Sequence, residues 1–553
     1  MFIKNYLLKD IHVSFNQFIQ NLIFSIFIFV PLLLELFIYR TKSAAILFLI
    51  YFSIHLSLLH IFKKWFFLIS IPLLIFSALI APYIWITGSK LSYNVISSIL
   101  ETDYHESLEL VNSPFFIKYI LIFLFILFFP LIIRFTNIFT NKISIKIKPI
   151  VTVVLLFILA GFSWIIGLNE RVINYRDGLW NYFPLRQLVF IEKSINEGWI
   201  LINQYENQNI TFKTIEDKDN NTSVIFVIGE TSRRSSLNIY GSKYNTTPYM
   251  SELLHNSPER ITTFPDMLSI APFTRVAVPS LLSLSNVLNY DKVATTPSIY
   301  KIINKSDIET RFVSIRNRNT FHESLSNEII KDNQNVINLE KKYDGDLLPF
   351  IYKGIDSNSS RKIITFHLIG SHYIYKKRYP VEFNCFAPNI FEANYLSSLR
   401  YTDFVLSQII KYIEKNKNPF VLVYISDHGE YANDNGDGIY GHGFKKLVAD
   451  EIEIPLVFVY NKKFREQYQG VINQINKHRE SKVSLDNISH TLLGLLGVKD
   501  LKYYDSSYDI VSKDFKEHTR YVINRDMEIS DIDNIKFEST SERVKREFKD
   551  ICR

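Results

Sequence analysis

Phe420-Val421-Leu422-Val423-Tyr424-Ile425-Ser426-Asp427-His428-Gly429-Glu430 is the stretch on which the fold turns. Six apolar or aromatic residues in a row, β-branched at Val421, Val423 and Ile425, read as a strand buried on both faces. The run then gives way at once to a serine, an acid, a histidine, a glycine and a second acid. Ser223–Ile228, Lys362–Leu368 and Ile454–Tyr460 have the same buried-strand character, and segments of helical spacing such as Tyr395–Ile413 lie between them. This alternation predicts an α/β domain with a largely parallel sheet covered by helices, in which ligands bind beyond the carboxyl ends of the strands.

The first strand of this set ends in Gly229-Glu230-Thr231, so Glu230 joins Asp427 and His428 as a side chain at a strand end. Carboxylate oxygens and imidazole nitrogen are suited to Zn²⁺. A lone acid there serves equally as a helix cap; an adjacent Asp-His pair is more informative. Between the first two strands, Ala271-Pro272-Phe273-Thr274-Arg275-Val276-Ala277-Val278-Pro279-Ser280 leads into a helix-like run. A hydroxyl at a helix start meets unpaired N–H groups and the positive end of the dipole, a setting that holds phosphate. A nearby metal would turn that hydroxyl into a nucleophile, although Thr274 alone is an ordinary cap. His372, in Gly370-Ser371-His372, and His442, in Tyr440-Gly441-His442-Gly443, sit in polar, glycine-bearing loops and not on apolar faces. His367 lies within a strand and reads as structural.

The first third of the chain is different. Leu22–Tyr39, Ala44–Phe62, Trp65–Ile86, Lys118–Ile133 and Pro149–Gly167 are apolar stretches near the length needed to cross a hydrocarbon core of about 30 Å. No small-residue cleavage site follows the first, which reads as a retained anchor. Lys4 and Lys9, Lys63 and Lys64, and Arg134, Lys142, Lys146 and Lys148 fall on one side, the cytoplasm; Arg40 and Lys42 dissent. The loop with Glu101, Asp103, Glu106 and Glu109 falls on the other side, and so does the long C-terminal part, in the periplasm of a Gram-negative cell. The expected domains are 1–168 (transmembrane), 169–222 (a bridge) and 223–553 (catalytic). Trp180, Tyr182, Phe183 and Trp199 interleaved with charges suit either an interfacial helix or a solvated linker in the bridge. The net charge of +7 over 553 residues does not suggest a nucleic-acid binder, and two cysteines, Cys385 and Cys552, are too few for a disulfide framework or a Cys₄ metal site.

The set Gly229-Glu230-Thr231-Ser232-Arg233, Thr274 with Val278-Pro279, Gly370-Ser371-His372, Ser426-Asp427-His428-Gly429-Glu430 and Gly441-His442-Gly443 resembles the lipopolysaccharide phosphoethanolamine transferases of the alkaline-phosphatase/sulfatase superfamily. Asn245-Thr246-Thr247-Pro248, Lys377-Arg378-Tyr379-Pro380 and Tyr401-Thr402-Asp403 are further similar stretches. The resemblance implies an N-terminal five-helix transmembrane domain followed by a periplasmic α/β domain of alkaline-phosphatase/sulfatase type. It implies Zn²⁺ bound by Glu230, Thr274, Asp427 and His428, with Thr274 also the nucleophile. It implies His372, His442 and Glu106 on the substrate side, Glu106 in holding the donor headgroup. The implied donor is phosphatidylethanolamine and the acceptor lipopolysaccharide, a core sugar ahead of lipid A, for a monomer of the inner membrane that engages no nucleic acid. Many relatives flank the nucleophile with a cysteine pair; Ile270 and Ser280 stand there instead. The rival readings are a phosphoglycerol transferase or another phosphodiester-cleaving membrane hydrolase of the superfamily, and a catalytically dead lipid-binding membrane protein. The intact Glu, Thr, Asp and His set argues against the last.

Overall fold

A computed structural model describes residues 11–39, 42–87, 91, 96, 114–136, 144–147, 183–315, 325–339, 341–387, 390–432, 440–443, 447–525, 527–535 and 549–552. The chain divides into two compact units, Met1–Asn196 and Glu197–Arg553. The acidic loop bearing Glu106 and the fifth apolar stretch, Pro149–Gly167, lie outside the described residues.

In the first unit, α1 (Phe15–Ile28) and α2 (Val30–Tyr39) meet at an angle of 60° around Phe29. Pro31 accounts for the bend: it has no N–H to give the Phe27 carbonyl one turn back, and its ring crowds that carbonyl. The Ser77 hydroxyl donates to the Phe27 carbonyl instead, at 2.8 Å. The run α3 (Lys42–Thr87) covers the second and third apolar stretches. His55 accepts or donates at both ring nitrogens, Nδ1 to Ser25 Oγ at 3.0 Å and Nε2 to Ser70 Oγ at 2.9 Å. Fifteen residues of straight helix would separate His55 from Ser70 by about 22 Å. The run therefore folds back on itself between them, with apolar helices Leu47–Phe62 and Lys64–Ile86 on either side of the break. α4 (Pro114–Phe135) packs on α3 at Ala78 and Ala81, whose small side chains admit Ile126 closely. Arg134 Nη1 donates to Gln20 Oε1 at 3.1 Å, so the start of α1 and the end of α4 share one end of the unit, as the charge bias requires. Among the described residues, Lys64–Ile86 and Phe116–Phe135 are long and apolar enough to cross a membrane, and the bent α1–α2 pair makes a third if it is one span; Leu47–Phe62 is apolar but shorter. α5 (Leu185–Glu206), within the segment read as a bridge, exposes Leu188, Trp199 and Ile200.

The second unit is built on a seven-stranded mixed sheet. Its strands are β1 (Ser223–Gly229), β2 (Ile261–Thr263), β3 (Glu309–Ser314), β4 (Asn335–Asn338), β5 (Lys362–His367), β6 (Phe420–Ser426) and β7 (Leu456–Tyr460). The order is β2-β7-β6-β1-β5-β3-β4, parallel from β6 through β4, with β7 and β2 added antiparallel at one edge. Every residue of β1 and β6 is buried. Val224, Phe226 and Ile228 share a core with α6 (Thr274–Leu282), and Ile225 and Val227 share one with α7 (Phe391–Glu414) on the opposite face. α8 (Ile488–Leu496) joins α6 on the first face. Burial on both faces is why these strands read as unbroken apolar runs.

Cys385 and Cys552 form a disulfide across 167 positions. Beside it, the short strands Phe386–Ala387 and Lys549–Asp550 pair antiparallel, and Arg400 Nη1 meets Asp550 Oδ2 at 2.7 Å. Closing so long a loop restricts the unfolded chain. Cys552→Ser is expected to lower stability by about 2–4 kcal/mol. Thermal denaturation checks this: the variant and the reduced wild type should share a Tm several degrees below that of the oxidised protein.

Candidate metal centre

Sheet topology brings the strand-end residues together. β1 and β6 run parallel as neighbours with Gly229 opposite Ser426, so Glu230 and the Asp427-His428 pair emerge side by side at the carboxyl edge. β5 flanks β1 on its other side, and the segment after it returns to the same edge, where the Ser371 N–H donates to the Glu230 carbonyl at 3.0 Å. The loop before α6 is tied to the end of β6 by Ser269 Oγ, which donates to the Asp427 carbonyl at 2.5 Å. Thr274 follows as the first residue of α6.

Thr274 Oγ1 lies 3.2 and 3.4 Å from the two Glu230 carboxylate oxygens and 3.3 Å from His428 Nε2. His428 Nε2 lies 3.4 Å from Glu230 Oε1 and 3.6 Å from Asp427 Oδ2. A tetrahedron with bonds of about 2.0–2.2 Å has edges of about 3.3–3.6 Å, so the donor spacing fits one zinc-sized ion. Glu230, Asp427 and His428 are buried and form a group able to hold a metal. His428 Nδ1 lies 2.8 Å from the Gly429 carbonyl, which orients the ring and leaves Nε2 for the cluster. Burial pulls the His428 imidazole down, but the Asp427 and Glu230 carboxylates outweigh it and push it up to about 10. Two buried carboxylates thus demand a positive charge among them, which a proton supplies when no metal does.

Thr231, next to Glu230, has φ of 54°, a left-handed conformation rare for a β-branched residue. Its hydroxyl donates to the Glu230 carbonyl at 2.8 Å and its own carbonyl accepts from Tyr395 Oη at 2.9 Å, bonds that hold a turn costing about 1–3 kcal/mol.

A second group able to hold a metal comprises His428, Glu430 and His442. Tyr431 pairs with Gly441 and Ala432 with Tyr440, which sets Glu430 opposite His442; His442 Nδ1 is 2.8 Å from Glu430 Oε2, and its ring centroid is 4.1 Å from that of His428. Arg233 Nη1 donates to the Glu430 carbonyl at 3.3 Å and meets Asp450 Oδ2 at 3.6 Å. Asp450 also accepts from Ser235 Oγ at 2.7 Å.

The structure therefore gathers Glu230, Thr274, Asp427, His428 and His442. His372 departs from the same edge, its carbonyl accepting from Arg378 Nε at 3.0 Å. His367 is buried edge-on to Phe312, consistent with a packing role. Sequence reasoning gave no role to Glu430, Arg233, Asp450 or Tyr375; for Glu430 the signal was its position two residues past His428. Gly429 sits where a Cβ would fall 2.0 Å from the Asp450 carbonyl oxygen. Gly429→Ala must displace the backbone joining His428 to Glu430, and is expected to weaken zinc binding about 10–100-fold in a competition titration with a chelator.

The sulfatase family model matches residues 222–498, and the chain belongs to that family. Phosphoethanolamine transferases are among its relatives. The chain is 27% identical over 373 residues to "Phosphoethanolamine transferase EptC" of Escherichia coli (strain K12), a match covering 63% of this chain and 62% of that protein. It thus spans less than two thirds of the relative's length. It also resembles the solved integral membrane protein lipooligosaccharide phosphoethanolamine transferase A (EptA) from Neisseria meningitidis, with a TM-score of 0.65 and 17% identity over 89% of this chain and 98% of that one. The C-terminal periplasmic domain of EcEptC from Escherichia coli, solved in complex with Zn, matches with a TM-score of 0.54 and 22% identity over 59% of this chain and 97% of that one. These likenesses show a shared fold, a helical N-terminal region followed by a mixed α/β domain of sulfatase type.

Proposed function

We propose that the protein is a zinc-dependent phosphoethanolamine transferase of the bacterial inner membrane, with its second unit in the periplasm. It moves phosphoethanolamine from phosphatidylethanolamine to lipopolysaccharide through a phosphothreonine at Thr274. The observation that carries this reading is the Thr274 hydroxyl, at a helix start and within 3.4 Å of both Glu230 and His428. The activities of the relatives and the apolar helices of the first unit support it. The five-span anchor, with limits at 168 and 222, belongs to the same proposal.

Zinc held by Glu230, Asp427, His428 and the Thr274 oxygen supplies a Lewis acid that lowers the pKa of the hydroxyl and offsets charge on the phosphoryl oxygens. Thr274 Oγ1 attacks the donor phosphorus; the new P–O bond forms as the bond to diacylglycerol breaks, and the departing glycerol oxygen takes up a proton. An acceptor oxygen then attacks the same phosphorus, loses its proton and releases Thr274. The first turn of α6 favours the anionic phosphoryl group. His442 and His372 hold nonbridging oxygens or pass the proton, and Glu106 holds the donor's ammonium. The acceptor is a core sugar ahead of lipid A, on the Thr-Arg…Val-Pro-Ser-Leu-Leu-Ser form of the segment from Thr274. Mass spectrometry of lipopolysaccharide from cells with and without the protein tests this. Added phosphoethanolamine on core or lipid A is expected, and an unchanged lipopolysaccharide rejects the reading.

A further inference from the structure

Tyr375 reaches the centre from the loop that follows β5, 55 positions before its partner. Its hydroxyl donates to Glu430 Oε1 at 2.5 Å, while the other oxygen of that carboxylate, Oε2, faces His442 Nδ1 at 2.8 Å. Tyr375 and Glu430 are both buried. The phenol ring is itself wedged, 4.7 Å from the Phe391 ring and 5.0 Å from that of Tyr395. Phe391 also packs at 4.2 Å on Tyr440, two residues before His442.

We infer that Tyr375 is a positioning residue: by anchoring one oxygen of Glu430 it aims the other at Nδ1 of His442, fixing that ring beside His428 with Nε2 as its working nitrogen. A carboxylate free to rotate would accept from the imidazole in several orientations; one pinned by a wedged phenol accepts in one. The inference rests on the proposed transfer reaction for its kinetic consequence, and on geometry alone for its structural one.

The test is a double-mutant cycle on the full-length purified protein. Tyr375→Phe is expected to lower kcat about 5–20-fold, with KM within about twofold and zinc content unchanged. In a His442→Ala background the same substitution is expected to have no further effect. Additive losses, an unchanged kcat or lost zinc would each overturn the inference. Should Tyr375→Phe not fold, Glu430→Ala takes its place in the cycle and must likewise be silent without His442. Crystals of Tyr375→Phe give a readout independent of turnover. There the His442 ring is expected to leave Glu430 while Glu230, Asp427 and His428 stay in place; an unmoved ring refutes the positioning role. An inactive wild type would sink the proposed function, and the crystallographic arm would then decide the inference by itself.

Discussion

Thr274→Ala is expected to reduce phosphoethanolamine transfer by at least about 10³-fold, in keeping with the loss of a covalent nucleophile. The residue is partly buried at the start of α6, and its hydroxyl contacts Glu230 and His428 without supporting the core. Alanine is a better helix former than threonine at that position, so the fold is expected to persist and Tm to move by no more than a few degrees. Intact-protein mass spectrometry provides the second readout: wild type incubated with phosphatidylethanolamine should carry one phosphoethanolamine on Thr274, and the variant none. Transfer retained in Thr274→Ala, or an adduct on another residue, would remove the covalent mechanism.

Loss of the metal should act on both rate and stability. Asp427→Asn removes one of the two carboxylates that demand a cation, and is expected to strip zinc from the purified protein and cut transfer about 10²–10⁴-fold, the equivalent of several kcal/mol of charge stabilisation. Chelation of the wild type should produce the same loss, reversed by adding zinc. A ligand present at about 100 times its Kd stabilises the folded state by about 2.7 kcal/mol, so the chelated protein should also melt several degrees lower. Zinc analysis separates the two variants: Thr274→Ala is expected to retain most of its metal and Asp427→Asn little. A chelated protein with full activity would refute the metal's role.

Much of the architecture was legible because the relevant signals are local. β1, β5, β6 and β7 lie in the interior of a sheet covered on both faces, so their apolar runs were visible, with ends misplaced by only a residue or two. β3, beginning Glu309-Thr310-Arg311, alternates buried and half-buried positions in its first half, and β4 starts exposed at the sheet's edge. Neither forms an apolar run, and both escaped. The first apolar stretch was read as unbroken although Pro31 lies within it, and the Ser77 bond that satisfies the stranded carbonyl was hidden, since it joins residues 50 positions apart. The single disulfide was likewise hidden, because two cysteines separated by 167 positions say nothing of their distance in space.

The order of residue types along the chain was enough to establish an apolar N-terminal region, an α/β unit and the strand ends where Glu230, Asp427 and His428 stand. Hydrophobic periodicity and strand termination are properties of neighbouring residues, and they survive in one dimension. Convergence is not such a property. That Thr274 meets Glu230 and His428 at metal-ligand spacing, and that Tyr375 bonds Glu430, depend on strand register and packing that join positions 44 to 154 residues apart.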